Sequence, residues 1–372
     1  MPVQVPFYQV KVEGSDITPW VSAVTYVEDD KQADSVTISI PDPRMIYADG
    51  LLEGSVAELD MGYTGSQQHA LVIRAIITKV ELSYPQNGEP VLTLKGSDRS
   101  VLMGLTQHNK RWHDSTVTDI VRKVAAPYGF AQIQAELNSD PMIKSRPIHQ
   151  NGKTDLAFLQ DLARTYHAKC FVELDADGNE ILYFIPERRV VTLNRPDTPV
   201  LRYRTGPDSN LVSFSPAFDS SYIDRLKQVS DVDQQGNNVS SQDRPPPEIV
   251  IWDLSADRLA LANARDRTLI QALYDKGSTR KRDPQDKLAA RYPAVGEVAS
   301  DQADIESTND SLESRRLGMS ASASTFGNIW LRAKSNVLVD GVSERFNGEW
   351  YVSSATQKIG NGSFTTDFKC VR

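Results

Sequence analysis

Residues 56–60, 71–80 and 91–95 read VAELD, LVIRAIITKV and VLTLK, and three stretches near the end of the chain repeat their character. Those stretches are residues 337–340 (VLVD), 351–359 (YVSSATQKI) and 364–369 (FTTDFK). The six stretches consist mainly of alternating apolar and polar residues, often β-branched or aromatic, which is typical of half-buried strands. The sequence therefore predicts two related β-modules in one chain, and their similar spacing aligns Lys79 with Lys358.

A duplicated module has a consequence for assembly, because three copies of such a chain present six similar units around one axis. This arrangement builds a ring, and no enzyme mechanism requires it. Two antiparallel segments can also resemble each other by chance, so the repeat alone leaves both explanations open.

Length, composition and charge limit the possible classes of protein. The 372 residues, 40% hydrophobic and 24% charged, suggest a soluble globular chain with two to four domains. A net charge of −8 disfavours tight sequence-independent binding to nucleic acid, because that affinity comes largely from Lys and Arg contacts to phosphates. Cys170 and Cys370 lie in different segments without metal-ligand spacing, which favours two reduced thiols over a disulfide.

The chain has no recognisable targeting or membrane-spanning segment. Residues 1–7 lack a basic region followed by an apolar core, so no secretory signal is expected. No apolar run approaches the roughly 20 residues that cross a bilayer, so a membrane protein is not expected either.

The fold class that these patterns predict is mainly β, with two related antiparallel β-barrel (tube-like) modules and a helical and hairpin α+β insert. The first module is expected over residues 1–105 and the insert domain over 106–195. The second module is expected to be split between residues 196–238 and 317–372. Residues 239–316 would then form an insertion with helices and an exposed charged loop.

The insert domain carries clear helix and hairpin signals. Thr116–Asp119 fits a capping box, and residues 117, 120, 121 and 124 form one apolar helical face. A second helix is predicted to begin at Thr154, with apolar residues at the same spacing. Residues 170–174 and 181–185 are expected to form a hairpin over residues 175–178.

The sequence pattern changes along the insertion of residues 239–316. Residues 255–274 have helical periodicity, whereas residues 275–300 are charged and contain Gly277, Pro284 and Pro293. We therefore expect an exposed excursion there, followed by a polar helix over residues 304–316.

Several stretches resemble chemical sites, and each has a simpler interpretation. Residues 175–180 (DADGNE) resemble a calcium loop, but their glycine is fourth rather than sixth, which favours a hairpin turn. Residues 108–113 (HNKRWH) are the densest polar and aromatic cluster, and a domain junction is the simpler interpretation. Residues 276–282 (KGSTRKR) could contact phosphate or an acidic partner, but a solvated loop is favoured.

No motif assigns a reaction to the chain. With 49 Asp and Glu residues, a glycosidase pair of carboxylates is not excluded, but nothing singles one out. There is no Gly-x-Ser-x-Gly elbow, Walker loop or dinucleotide-binding fingerprint. We therefore predict no catalytic, cofactor-binding or metal-binding residues, no cofactor, and a protein that is not an enzyme.

The order of these segments resembles a known family. The stretches that carry the resemblance are residues 94–100 (LKGSDRS), 116–121 (TVTDIV), 154–163 (TDLAFLQDLA), 348–356 (GEWYVSSAT) and 364–368 (FTTDF). They are similar to the baseplate hub proteins of contractile-tailed phages, the late control gene D family. They also resemble the N-terminal hub portion of type VI secretion VgrG-type spike proteins and of extracellular contractile injection systems. The likeness covers nearly the whole chain.

The resemblance implies a homotrimer whose tube-like barrels form a pseudo-sixfold ring between a hexameric tail tube and a threefold spike. Expected partners are a separate central spike protein, a tail tube or tube-initiator protein, a tape-measure protein and baseplate wedge components. DNA or an effector could pass through the lumen without specific binding. The expected location is a virion tail baseplate or phage-like particle assembled in the bacterial host cytoplasm. The alternatives are a peptidoglycan-degrading tail enzyme and a receptor- or carbohydrate-binding β-protein.

Overall fold

The structure is a computed structural model of the chain. It describes residues 5–65, 69–138, 140, 142–143, 147–166, 168–190, 198–204, 206–219, 230–232, 238–240, 254–289 and 318–372. Contacts divide the chain into two compact units, one of residues 1–218 with 319–372 and one of residues 219–318. The expected polar helix over residues 304–316 lies outside the described residues.

The first module is an antiparallel sheet built from alternating strands. Its strands are β1 (Pro6–Val12), β2 (Ser15–Asp16), β3 (Ala23–Asp29), β4 (Ser35–Pro41), β5 (Val56–Tyr63), β6 (His69–Ser83) and β7 (Val91–Ser97). Hydrogen-bonded neighbours follow the order β3–β4–β7–β6–β5–β1, with β2 at the edge. Alternate residues face the core, so Val24 and Tyr26 of β3 pack with Val36 and Ile38 of β4.

The insert begins after a 3₁₀ helix at Arg99–Gly104 and combines helices with short strands. Its elements are β8 (Gln107–His108), β9 (Arg111–Trp112), β10 (Ser115–Thr116), α1 (Val117–Ala125), β11 (Gln132–Ala135), β12 (Met142–Ile143), β13 (Ile148–His149), β14 (Lys153–Thr154), α2 (Asp155–Thr165), β15 (Ala168–Leu174), β16 (Glu180–Pro186) and α3 (Glu187–Val190). The Thr116 and Thr154 hydroxyls accept backbone hydrogen bonds at the starts of α1 and α2, as the sequence predicts. The predicted hairpin is β15–β16, and β11 pairs with β16 in parallel.

The next elements are β17 (Val200–Arg202), β18 (Leu211–Phe218), β19 (Ser230–Val232), β20 (Asn238–Ser240), α4 (Ala256–Ala260) and α5 (Ala264–Ala289). The prediction of an exposed loop from residue 275 is wrong for residues 275–289. Helix α5 continues through Gly277 and Pro284 to Ala289. Hydrogen bonds around Asp275 hold the turn that contains the glycine. Gln271 donates to the Asp275 carboxylate at 2.9 Å, and the Thr279 hydroxyl donates to its carbonyl at 2.8 Å. The remainder of the expected excursion, residues 290–300, is outside the described residues.

The second module is completed by β21 (Met319–Phe326), β22 (Ser335–Asp340), β23 (Gly348–Gly360) and β24 (Ser363–Val371). Its neighbours follow the order β18–β21–β24–β23–β22–β17. Position by position, this is the order β3–β4–β7–β6–β5–β1 of the first module. One difference is that β17 runs parallel to β22, whereas β1 is antiparallel to β5.

A shared irregularity sets the register between the two modules. The β6–β7 ladder skips Thr78 and the β23–β24 ladder skips Ser353, so each module has a bulge at the corresponding place. The Thr78 hydroxyl donates to the Lys95 carbonyl at 3.3 Å, and the Ser353 hydroxyl donates to the Lys369 carbonyl at 3.2 Å. The bulges align Lys79 with Ser354, so the alignment of Lys79 with Lys358 is wrong, although that of residues 91–95 with the last strand holds.

The two modules form one continuous sheet, because β3 pairs with the second half of β23. The fold class of a mainly β protein with two related modules and an α+β insert is confirmed. The domain boundaries given above remain predictions. Among the described helices, none has the length and apolar character needed to cross a membrane.

Candidate functional site: a buried charged junction

Charged side chains are buried where the two modules and the insert meet. We call this cluster the charged junction and define it by Glu28, Asp34, Asp98, Glu173, Arg332 and Lys334. The first three belong to the first module, Glu173 belongs to the β15–β16 hairpin of the insert, and the two cations precede β22 in the second module. The junction therefore links segments from all three parts.

Arg332 joins two carboxylates from different parts of the fold. Its Nε donates to Glu28 Oε1 at 2.5 Å, and its Nη2 donates to Glu173 Oε2 at 2.5 Å. Glu28 has 0% exposure and also accepts hydrogen bonds from the Tyr26 hydroxyl and the Ala333 amide, at 3.1 and 3.2 Å. Since both Glu28 oxygens have donors, this buried charge is well compensated.

Lys334 forms the second cationic centre of the junction. Its Nζ lies 3.1 Å from Asp34 Oδ1 and 3.7 Å from Glu173 Oε1. Its φ of 63° is in the left-handed region, which costs a residue other than glycine about 1–3 kcal/mol. The amide of Lys334 donates to the Val352 carbonyl at 2.9 Å, so surrounding contacts hold this backbone conformation.

The junction contains four carboxyl groups and two side-chain cations, which alters proton affinities. Burial raises the pKa of Asp34 well above its usual value, although Lys334 opposes the effect. Burial also raises the pKa of Asp98, against the hydrogen bonds from Ser100. Burial alone would lower the pKa of Lys334, but the carboxylate of Asp34 and its neighbours outweigh burial and raise that pKa.

The raised Asp34 pKa predicts a pH-dependent stability. Its contribution is fully present below the unfolded-chain pKa of about 4 and is lost as pH rises through the higher folded pKa. Urea unfolding from pH 5 to pH 8 should therefore show a steeper loss of stability in the wild type than in Asp34→Asn, which cannot titrate. The exposed control Asp49→Asn should keep the wild-type slope. Parallel profiles for wild type and Asp34→Asn would contradict this expectation.

Further ion pairs attach the insert to the first module. Lys169 lies 2.7 Å from Asp30, and Arg99 Nε lies 2.6 Å from Glu180. Arg74 donates to the Gly178 carbonyl in the β15–β16 turn at 2.8 Å. The hairpin is thus held at its turn and along β15, so its position relative to the first sheet is defined by directional bonds.

Three carboxyl groups of the junction are already engaged in ion pairs within the chain. Oxygens of Glu28, Asp34 and Glu173 lie within 4.8 Å of one another, and they already contact the side chains of Arg332 and Lys334. The adjoining cavity has a volume of about 10 Å³, which is about the space of one water molecule.

The stretches that resemble chemical sites occupy ordinary structural positions. Asp175 accepts hydrogen bonds from the Asp177 and Asn179 amides at 2.9 and 2.8 Å, which makes residues 175–180 the favoured hairpin turn. His108 lies 3.7 Å from Asp155 at the start of α2. The run at residues 276–282 lies in helix α5 rather than in the favoured loop.

The junction residues were missed by sequence reasoning, although one signal was present. In β3 the inward positions carry Val24, Tyr26 and then Glu28, so a carboxylate occupies the apolar face of an alternating strand. A charge at such a position requires a buried partner. The identity of that partner is not visible locally, because Arg332 is 304 positions away.

Comparison with solved structures identifies similar folds. The tail protein from Neisseria meningitidis MC58 has 14% identity and a TM-score of 0.63, with 99% of this chain and 96% of that chain covered. The prophage MuSo2 43 kDa tail protein from Shewanella oneidensis has 13% identity and a TM-score of 0.61, with coverages of 99% and 98%. The E. coli c3393 protein, described as a component of the type VI secretion system, has 12% identity and a TM-score of 0.58, with coverages of 97% and 76%.

At these identities the similarities establish the fold alone. A search of curated protein sequences finds no match. A family model described as the phage tail baseplate hub (GPD) matches residues 36–363. Because this match spans most of the chain and agrees with its fold, the protein belongs to the phage tail baseplate hub (GPD) family.

Proposed function

We propose that three copies of this chain form a ring that joins a hexameric tail tube to a threefold spike. Membership of the hub family makes the chain a structural component of a phage tail baseplate. The observation that carries the proposal is the common strand order of the two modules. Six related modules arranged around a threefold axis can meet six tube subunits on one side while keeping threefold symmetry on the other.

The charged junction supports this adaptor role. A ring of six units requires the two modules of each chain to keep a fixed relative orientation. The β3–β23 ladder and the Arg332 bridge between Glu28 and Glu173 both fix that orientation. Bidentate or shared charged hydrogen bonds are directional, so they resist rotation more strongly than apolar packing alone.

The proposal also includes the partners of the ring, its place of assembly and the use of its lumen. The ring would contact a central spike, a tail tube or tube-initiator protein, a tape-measure protein and wedge components, in a particle assembled in the bacterial cytoplasm. DNA or an effector would pass through its lumen. A net charge of −8 suits such a passage, because a chain with an excess of carboxylates has little affinity for phosphates.

The mass of the assembled protein tests the ring. Light scattering of the purified full chain, alone and mixed with its particle's spike protein, should give a species of three times the 41.3 kDa chain mass. Threefold density for this chain in the assembled particle would be the matching observation. A monomer under all of these conditions would contradict the proposal.

The rival functions are tested on the same preparation. A peptidoglycan-degrading enzyme would clear cell-wall substrate in a zymogram, and the structural role predicts no clearing. A receptor- or carbohydrate-binding protein working alone would remain a 41.3 kDa monomer. Clearing by the purified chain would overturn the structural interpretation.

A further inference from the structure

The seam between β3 and β23 shows how two modules join within one chain. Its register pairs Thr25 with Lys358 and Val24 with Ile359. The Asp30 amide donates to the Ser353 carbonyl across the seam at 3.0 Å. The β23 residues of the seam that face the core are almost fully covered, with exposures of 0%, 1% and 3% for Ala355, Gln357 and Ile359.

The common strand order identifies the counterparts of these two strands. By position, β23 corresponds to β6 and β3 corresponds to β18. The bulges align residues 354–359 with residues 79–84. The β7–β4–β3 and β24–β21–β18 ladders then align residues 23–28 with residues 213–218. Each module therefore has one strand of each seam type, but only one seam is formed within the chain.

Each counterpart strand has an open edge, which pairs with no other strand among the described residues. Within the described residues, β18 pairs with β21 on one side only, and the second half of β6 pairs only with β7. Leu82 and Tyr84 are exposed by 40% and 61%, although their counterparts Gln357 and Ile359 are almost fully covered. Apolar side chains thus lie exposed at positions that the closed seam buries.

We propose that residues 79–84 of one copy pair antiparallel with residues 213–218 of β18 in the next copy. The occupant of each open edge is a second copy of this chain. This inference rests on the proposed ring and specifies the strands and register by which its copies join.

The register of the closed seam gives a chemically consistent interface. When the same register is applied to the two open edges, three apolar pairs lie on one face of the new ladder and a pair of serines lies on the other. The apolar pairs are Val80 with Phe218, Leu82 with Pro216 and Tyr84 with Phe214, and the serines are Ser83 and Ser215. Cross-strand apolar pairs stabilise such ladders, whereas a register shift by one residue would place these side chains on opposite faces.

One hydrogen bond of the β3–β23 seam has no equivalent in the proposed seam. The Asp30–Ser353 bond and the alternation of antiparallel ladders direct the Tyr26 amide towards β23. Pro216, the counterpart of Tyr26, has no amide hydrogen to donate. Proline at the open edge also disfavours indiscriminate strand addition, so recognition would depend on the apolar pairs.

Repetition of this contact about a threefold axis gives a closed ring. Each copy offers one β6 edge and one β18 edge, so the contact is head-to-tail rather than self-complementary. Three such seams alternate with the three β3–β23 seams inside the chains. The result is six seams of one type around the axis, which closes the assembly without leaving either edge open.

Disulfide formation tests the seam residue by residue. Ser83 and Ser215 correspond to Lys358 and Thr25, a pair without mutual hydrogen bonds, whose Cα atoms lie about 4.5 Å apart. Under mild oxidation, Ser83→Cys/Ser215→Cys should give dimers and trimers on non-reducing gels that collapse to monomer with reductant. Burial raises the pKa of Cys170 and Cys370 to about 12, so the native thiols compete poorly.

A matched control places the second cysteine on β21, the strand next to β18, instead of on β18. Ser322 pairs with Ser215 across β18–β21, so Ser83→Cys/Ser322→Cys should remain monomeric on the same gel. A trimer by light scattering without the Ser83–Ser215 crosslink would overturn the seam and leave the proposed ring intact. A chain that is monomeric in every preparation would overturn both.

A charge in the seam provides a second measurement. Tyr84→Asp places a carboxylate among the apolar pairs and should raise the concentration needed for half-maximal assembly at least about tenfold, as expected for an aromatic interface residue. Leu261→Asp alters a residue of 80% exposure outside the seam and should leave that concentration unchanged. Equal assembly of Tyr84→Asp and wild type would count against the seam.

Discussion

Arg332→Met should lower the free energy of unfolding by about 3–5 kcal/mol, the cost of leaving a buried charge without its partner. The substitution removes the cation shared by Glu28, which has 0% exposure, and Glu173. Methionine fills much of the space but donates no hydrogen bond. Both carboxylates would then have to take up protons or draw water into the junction. Urea unfolding followed by circular dichroism measures the change.

Two matched variants separate the loss of charge from other effects. Arg332→Lys keeps the charge but not the planar fork that reaches two carboxylates, so an intermediate loss is expected. Lys358→Met breaks the exposed pair with Asp367, 2.8 Å apart, and should cost no more than about 1 kcal/mol. A loss for Arg332→Met no larger than that for Lys358→Met would refute the role assigned to the junction.

Trp350→Ala should destabilise the second module by about 3–5 kcal/mol, in the range measured for large aromatic truncations in protein cores. Trp350 has 0% exposure and meets Phe214 edge to face, with ring centroids 5.5 Å apart. Its Nε1 also donates to the Phe346 carbonyl at 3.0 Å. The substitution therefore leaves a cavity and removes a buried hydrogen bond. Thermal and urea unfolding of the purified chain test the prediction.

Trp350→Phe and Trp330→Ala serve as comparisons. Phenylalanine retains most of the buried ring but not the hydrogen bond, so a smaller loss is expected. Trp330 is 53% exposed, and its truncation should change stability by no more than about 0.5 kcal/mol. If Trp350→Ala and Trp330→Ala gave equal losses, Trp350 would not hold the core as described.

Helix α5 marks a limit of sequence reasoning in the later insertion. Gly277 costs a helix about 1 kcal/mol and Pro284 about 3 kcal/mol relative to alanine, which argued for a loop. The helix nevertheless continues to Ala289, with side-chain bonds to Asp275 across the glycine turn. Intrinsic propensity is a weak prior for a single segment, so it did not exclude this helix.

The repeated module was predicted more accurately from the sequence. Residues 56–60 and 337–340 are both parts of equivalent strands, β5 and β22, as their alternation indicated. Their exact alignment failed at Lys79 because the two hairpins differ in length. Val56 pairs with Ile76 and the equivalent Asn336 pairs with Tyr351, so fewer residues separate the paired positions in the second module. Family resemblance from the segment order also holds, since strand and helix order is a property of the chain itself.

Strand alternation, helix caps and turn residues are local properties, and they were enough to predict the mainly β class and the duplicated module. The hub family was predicted from the resemblance of the quoted stretches and their order to a known family. The pairing of β3 with β23 and the meeting of Glu28 with Arg332 depend on residues about 300 positions apart. Which charges share a buried space, and which strand edges remain open, is settled only when the sheets pack. These properties come from long-range geometry, and no local stretch of sequence encodes them.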